Sequence, residues 1–239
     1  MAQSWLIDEA GVPDSATLLE ESAAVTRSVR GGSAALAVRL NEVVIHDTRK
    51  WFGGADIRLD AIVVHGTQGD TASNGGFYQP TTFRFTGVRD GEQLPIDAPG
   101  LLVFYGRPEH FIDLSILASR DRGDSAELGD LLEERVSSQE WSAATRPLLD
   151  LAMAAPQATL IGAALSGAVV VANLAAKALA AAVGDSIGLY RVSWLQHRDR
   201  FGLGRHPAEG AYRHRDFGFW YEIVTDRATR RRRARGDAI

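Results

Sequence analysis

The chemically suggestive residues of this chain are acids set close to exposed-type aromatics. In HDTRKWFGGAD, residues 46–56, Asp47 and Asp56 flank Trp51 and Phe52. Further along, SRDRGD, residues 119–124, adds Asp121 and Asp124. Carboxylates gathered in one place repel each other unless water, arginine or a cation screens them. Ca²⁺ suits such loops because it accepts about six to eight oxygens in flexible geometry, whereas Mg²⁺ asks for a stricter octahedron. Once the acids are neutralised, an apolar tip approaches a membrane surface at lower electrostatic cost. Asp47, Asp56, Asp121 and Asp124 are therefore the candidate Ca²⁺ ligands, and Trp51 and Phe52 the candidate docking residues.

Other chemistry is more thinly supported. The chain holds six histidines, and none are paired as His-x-x-x-His on a predicted helix, so the zinc-protease motif is absent. His197, His206 and His214 share one loop region with Asp199 and Asp216, and a zinc or catalytic site can be drawn there. Ser166 lies in ALSGA, which is not a Gly-x-Ser-x-Gly elbow. GLGRHPAEG, residues 202–210, does not join a strand to a helix as a nucleotide loop must.

The elements that position these residues are mostly strands. Apolar alternation predicts strands over 34–48, 55–66, 81–88, 110–119, 186–197 and 216–224, with a short buried strand at 100–106. In ADIRLDAIVVHG, Ile57, Leu59, Ala61 and Val63 take one face, and Arg58 and Asp60 the other. Helices are predicted over 14–29, over 124–141 with Leu128, Leu131, Leu132 and Val136 on one stripe, over about 146–155, and over 157–183. Asp124 and Glu127 have capping-box spacing. The expected fold is mainly β (α+β): an antiparallel β-sandwich from 1–123 and 185–226, an inserted α-helical subdomain at 124–184, and a basic disordered tail at 227–239. Following strand direction up and down, Asp47, Asp56, Asp90, Asp97, Asp121 and Asp124 fall at one end.

Composition bounds the setting. The 239 residues are 45% hydrophobic and 23% charged, enough to bury a sizeable core. There is no cysteine, which excludes disulfides and thiolate metal sites and fits a cytoplasmic location. The N-terminal stretch lacks the pattern of a signal peptide. The net charge of −4 combines a +4 tail, residues 226–239, with a body of −8. An acidic body argues against a dedicated nucleic-acid binder. Residues 151–176 carry no charge over 26 positions, long enough to cross a bilayer, but ten of them are alanine. The segment reads either as a packed helical hairpin or as a membrane-entering one.

VVIHDTRKWFGGADIRLDAIVVHG, with one Asp ending a strand and another opening the next, resembles the first calcium loop of C2-type domains. FIDLSILASRDRGDSAELGDLL, a strand running into spaced Asp residues, resembles their third. The resemblance implies a β-sandwich that binds Ca²⁺ at this end and docks on phospholipid. The family's Asp-Pro-Tyr stands here as Asp56-Ile57-Arg58. The expected function is a non-enzymatic, Ca²⁺-responsive regulatory or docking module, membrane-associated or bound to a protein partner. The alternatives are a membrane-perturbing effector acting through 151–176 and an accessory domain of a hydrolase; no small-molecule substrate is indicated.

Overall fold

Branched and aromatic residues at every second position make the strands of this chain, and their registers decide which ends meet. The computed structural model describes residues 34–65, 77–121, 123, 125–153, 158–183, 186–214 and 216–225. The helix expected at 14–29, the 227–239 tail and Asp124 lie outside these residues.

The elements in chain order are β1 Leu36–Ile45, β2 Ala55–His65, β3 Tyr78–Val88, β4 Glu92–Gln93, β5 Leu101–Gly106 and β6 Phe111–Arg120. Three helices follow, α1 Leu128–Glu133, α2 Gln139–Met153 and α3 Ala158–Val183. Strand β7, Ser186–Leu195, leads through the short helix α4, Gln196–Asp199, to β8 Gly204–His206, β9 Tyr212–His214 and β10 Phe217–Thr225. One sheet has the order β4-β1-β10-β8, with β5 also on β1 and β9 also on β10; the other has the order β3-β2-β6-β7. All pairings are antiparallel. This is the expected sandwich with a helical insertion.

The sandwich core lies between the inner faces of the two sheets. Val38, Leu40 and Val43 of β1 meet Leu59 and Val63 of β2, Leu114 of β6 and Phe219 of β10 in one buried cluster. The helices cover the outer face of the second sheet, where Ile62, Val64, Phe111 and Leu117 pack with Trp141, Leu148, Val171 and Leu174. That outer face also buries charge. Arg58 and Asp60, both fully buried, form a two-pronged ion pair at 2.7 and 2.9 Å. Across β6 and β7, Arg191 grips Asp113 at 2.8 and 2.6 Å, and Ser193 also donates to Asp113. The Ser115 and Ser119 hydroxyls are buried there with no hydrogen-bond partner among the described residues, at about 1–3 kcal/mol each.

The helices differ from the sequence expectation at their starts. Residues 124–141 are not one helix: α1 ends at Glu133, a turn follows, and α2 begins where the Ser138 hydroxyl accepts from the Trp141 N–H at 3.1 Å. Pro147 therefore stands inside α2 rather than next to its start. Val136 lies in the intervening turn and is exposed, so the apolar stripe stops at Leu132. The expected capping box is not formed by Glu127, which makes no side-chain cap bond; the Leu128 N–H is met instead by the Thr82 hydroxyl of β3 at 3.1 Å. Strand β5 is only half buried: Val103 and Phe104 face the core, and Leu102 and Tyr105 face out.

A loop-bearing end with exposed aromatics

Strand register brings the acidic loops to one end of the sandwich. Ile45, the last residue of β1, pairs with Phe217 at the start of β10 and with Glu92 of β4. At the start of β2, Ala55 pairs with Val88 at the end of β3, and Ile57 with Arg120 at the end of β6. Since residues 46–54 connect β1 to β2 directly, these ends coincide. Two contacts tie them further: the Asp121 N–H donates to the Asp56 carbonyl at 2.8 Å, and Arg120 Nη1 to the Arg49 carbonyl at 3.2 Å.

The 46–54 loop is held by its own polar residues. The Asp47 carboxylate accepts the Arg49 N–H two residues on, at 2.6 Å, which turns the chain and sets Arg49 at a left-handed φ of 55°. Arg49 then reaches across to Asp216 with two donors, at 2.9 and 2.7 Å. The Thr48 N–H and hydroxyl both donate to Asp90 Oδ1, each at 2.7 Å, and hold its carboxyl below the ordinary value. Lys50 Nζ donates to the Gly54 carbonyl and closes the loop's base. Gly54 must be glycine, because a Cβ there would sit 2.2 Å from the Gly87 carbonyl oxygen.

Trp51 and Phe52 stand at the tip of this braced loop, 90% and 78% exposed. Their rings meet edge-on at 6.2 Å and touch no other aromatic ring among the described residues. The two rings form an exposed apolar pair on a loop braced at its base.

At this end the Asp47, Asp56, Asp90 and Asp121 carboxylates each accept from a protein donor. Asp56 Oδ1 accepts the Gly87 N–H at 3.0 Å. Asp121 is met by Arg84 Nε at 2.9 Å, by the Ser125 hydroxyl at 2.6 Å and by the Gly123 N–H at 3.3 Å. Burial pushes the Asp121 carboxyl up, but these donors prevail and hold it below the ordinary range. Glu127, bonded to the same Arg84, is also held low. Among the described residues no group of three or more His, Asp or Glu side chains is placed to hold a metal ion. The structure thus brings Asp47, Asp56 and Asp121 to one end, as expected, and gives each a local role.

Of the histidine region drawn on the sequence, the His197 side chain lies outside the described residues. His206 is slotted between the Trp194 and Tyr221 rings, 4.5 and 5.1 Å away, and burial lowers its pKa. His214 meets Phe217 edge-on. Asp199 accepts the Leu195 N–H and pairs with Arg198, while Asp216 pairs with Arg49.

Sequence reading missed the side chains that fasten the insertion. Arg58 donates to the Ser125 hydroxyl and the Ala126 carbonyl, and Arg84 to the Ser125 carbonyl, Asp121 and Glu127. With Thr82, they clamp the segment leading into α1. The available signal was an arginine on the outward-facing positions of both β2 and β3. No protein-family model, curated protein sequence or solved structure matches the chain.

Proposed function

We propose that this protein is a non-enzymatic docking module that seats the Trp51–Phe52 loop in the interfacial zone of a membrane surface. The observation that carries this reading is the near-complete exposure of both rings on a loop tied down at its base. Tryptophan suits the headgroup level, where an apolar ring and a polar N–H are both accommodated. Of the basic residues adjoining the tip, Arg49 is neutralised by Asp216, and Lys50, which donates to the Gly54 carbonyl, keeps its charge toward anionic lipid. The resemblance to C2-type domains points to the same end of the sandwich.

Burying each ring is worth about 1.5–3 kcal/mol. The double substitution Trp51→Ala with Phe52→Ala is therefore expected to weaken pelleting with anionic vesicles at least about a hundredfold. Wild-type tryptophan emission is expected to shift to shorter wavelength on vesicles, and the double variant to lose that shift. Undiminished vesicle binding by the double variant would refute the reading.

Control by Ca²⁺ through Asp47, Asp56 and Asp121 requires Arg84 to release Asp121, because guanidinium and cation compete for one carboxylate. Vesicle binding that appears with Ca²⁺ and disappears with chelator places that control here. Binding indifferent to both reagents describes a docking end that works without the ion, its acids serving as loop braces.

A further inference from the structure

The sandwich is open along one side. Among the described residues, five partly buried apolar side chains pack against its core: Phe83, Phe85, Ile96, Leu101 and Tyr212. Four of them gather on one side, Phe83 and Phe85 on β3, Ile96 and Leu101 just before or at the start of β5. These two strands adjoin, since the Tyr105 N–H of β5 donates to Gln79 Oε1 of β3 at 3.4 Å. Strand β3 has 11 residues and pairs only with β2 among the described residues. Its outer side therefore presents N–H and C=O groups without a ladder partner. The other edges differ. Against β7, the Tyr212 ring lies 5.0 Å from Tyr190, and a Cβ on Gly202 would lie 2.5 Å from the Trp194 ring. The edges of the β4-β1-β10-β8 sheet are strands of only two to six residues.

Proteins guard long edges with free charge, proline or bulges. On β3 these guards stand at the two ends. Pro80 lies near its start, and the register with β2 shifts between Phe85 and Val88. Thr81–Phe85 lie between them. Arg84 is the one charged residue of the strand, and its guanidinium is bound by Asp121 and Glu127. It does not repel a second strand as a free charge would.

From the unpaired length of β3, its neutralised arginine and the half-covered aromatics beside it, we propose that β3 pairs antiparallel with β3 of a second copy of this chain, centred on Phe83. The strand is self-complementary in that register. Phe83 faces Phe83 of the other copy, Thr81 faces Phe85, and Arg84 faces Thr82. A centre on Arg84 would instead oppose two guanidiniums. Because Thr81, Phe83 and Phe85 alternate onto one face, the aromatics of each copy cover those of the other. The two copies of the four-stranded sheet then join into one. This pairing goes beyond membrane docking and does not depend on it. Since β3 finishes at the Trp51–Phe52 end, antiparallel pairing points the two tips in opposite directions. Combined with docking, such a dimer bridges two vesicles.

Sedimentation equilibrium of the full chain is expected to show a reversible monomer–dimer equilibrium. Phe83→Lys sets like charges opposite each other and is expected to raise the dissociation constant at least about tenfold. Cysteine placement tests the register independently, should Phe83→Lys misfold, because the chain has no cysteine of its own. Antiparallel pairs hold opposed Cα atoms about 4.5–5.5 Å apart, within disulfide reach. With diamide as oxidant, Phe83→Cys is expected to give a covalent dimer. Thr86→Cys, which faces Pro80 of the other copy, is expected to stay uncrosslinked. A chain that is monomeric up to its highest soluble concentration overturns the proposal. So does a dimer in which Phe83→Cys fails to cross-link. Vesicles of equal phosphatidylcholine and phosphatidylglycerol are expected to clump with wild type and to bind Phe83→Lys singly. Dimers that bind vesicles without clumping them overturn the opposed arrangement. Dimers that cross-link at Phe83→Cys but leave vesicles unbound support the pairing and refute the docking reading alone.

Discussion

The two faces of the β3-β2-β6-β7 sheet are built from alternate residues of the same strands, yet they are stabilised differently. The inner face closes on the other sheet through apolar and aromatic contact. Where polar atoms enter, they belong to aromatics: the Tyr190 and Tyr221 hydroxyls lie 3.2 Å apart, and the Trp194 indole donates to Tyr221 at 3.3 Å. Burial raises the pKa of both tyrosines, so both hydroxyls stay neutral. The outer face mixes apolar residues with two ion pairs formed within the sheet, one of which, through Arg58, also donates to Ser125 and Ala126 ahead of α1. The inner face closes on side chains of the other sheet; the outer face carries paired charge of its own beneath the helices.

The largest expected effects come from breaking one member of each kind. Arg58→Met strands a buried Asp60 and is expected to destabilise by about 3–5 kcal/mol. Leu59→Ala, the next residue but on the inner face, is expected to fall near it at about 2–5 kcal/mol through the cavity left behind. The double change Arg58→Met with Asp60→Leu separates the faces: replacing a whole buried pair by apolar residues is often neutral or stabilising, by up to about 1–4 kcal/mol. Denaturant unfolding measures all three. A double variant as unstable as Arg58→Met alone would mean that the outer face needs its charges.

Acid sharpens the comparison at the insertion's hinge. Glu127 is held low chiefly by Arg84, and Asp121 by the donors that outweigh its burial, so their stabilisation is full above the carboxylate range. It is lost as pH falls through their lowered values. His110 and His206 are lowered from 6.5 by burial, and their contribution also fades in acid, beginning near the unfolded value. The melting temperature is therefore expected to fall in two stages below about pH 6.5. Asp60, pushed up by burial, works in the opposite sense, so a melting temperature that rises in that range would assign the acid response to Asp60 rather than to these groups.

Two smaller changes probe the same interface. Thr82→Ala removes the α1 cap and a bond to Asp60, and about 1–2 kcal/mol of destabilisation is expected. Ser115→Ala removes an unpartnered hydroxyl and is expected to be neutral or to raise stability by about 1 kcal/mol. A large loss on Ser115→Ala, seen as a lower denaturation midpoint, would show that the outer face is polar by need.

The strands and their directions were legible because alternation over ADIRLDAIVV or FIDLSILAS is long and regular, and direction follows once each turn is placed. The position of Asp47, Asp56 and Asp121 at one end came from the same reasoning. What covers a face was not legible from the strands themselves. Arg58 and Asp60 alternate with core residues in the way solvent-facing residues do, and only helices from a distant segment make them interior. The α1 cap was misread for a related reason: its acceptor, Thr82, belongs to another strand, while the local Asp124–Glu127 spacing offered a nearer candidate. The bracing of the loop by Asp216 joins residues 167 apart in sequence, beyond any spacing rule.

Strands β6 and β7 pair along nearly their whole length, so the sheet is complete across the gap where the helices leave and return. The helical segment is thus a graft on a doorway whose two posts already touch. A tight reverse turn across that doorway would preserve the sandwich register, and a foreign module spliced there would inherit a fixed orientation toward the Trp51–Phe52 end.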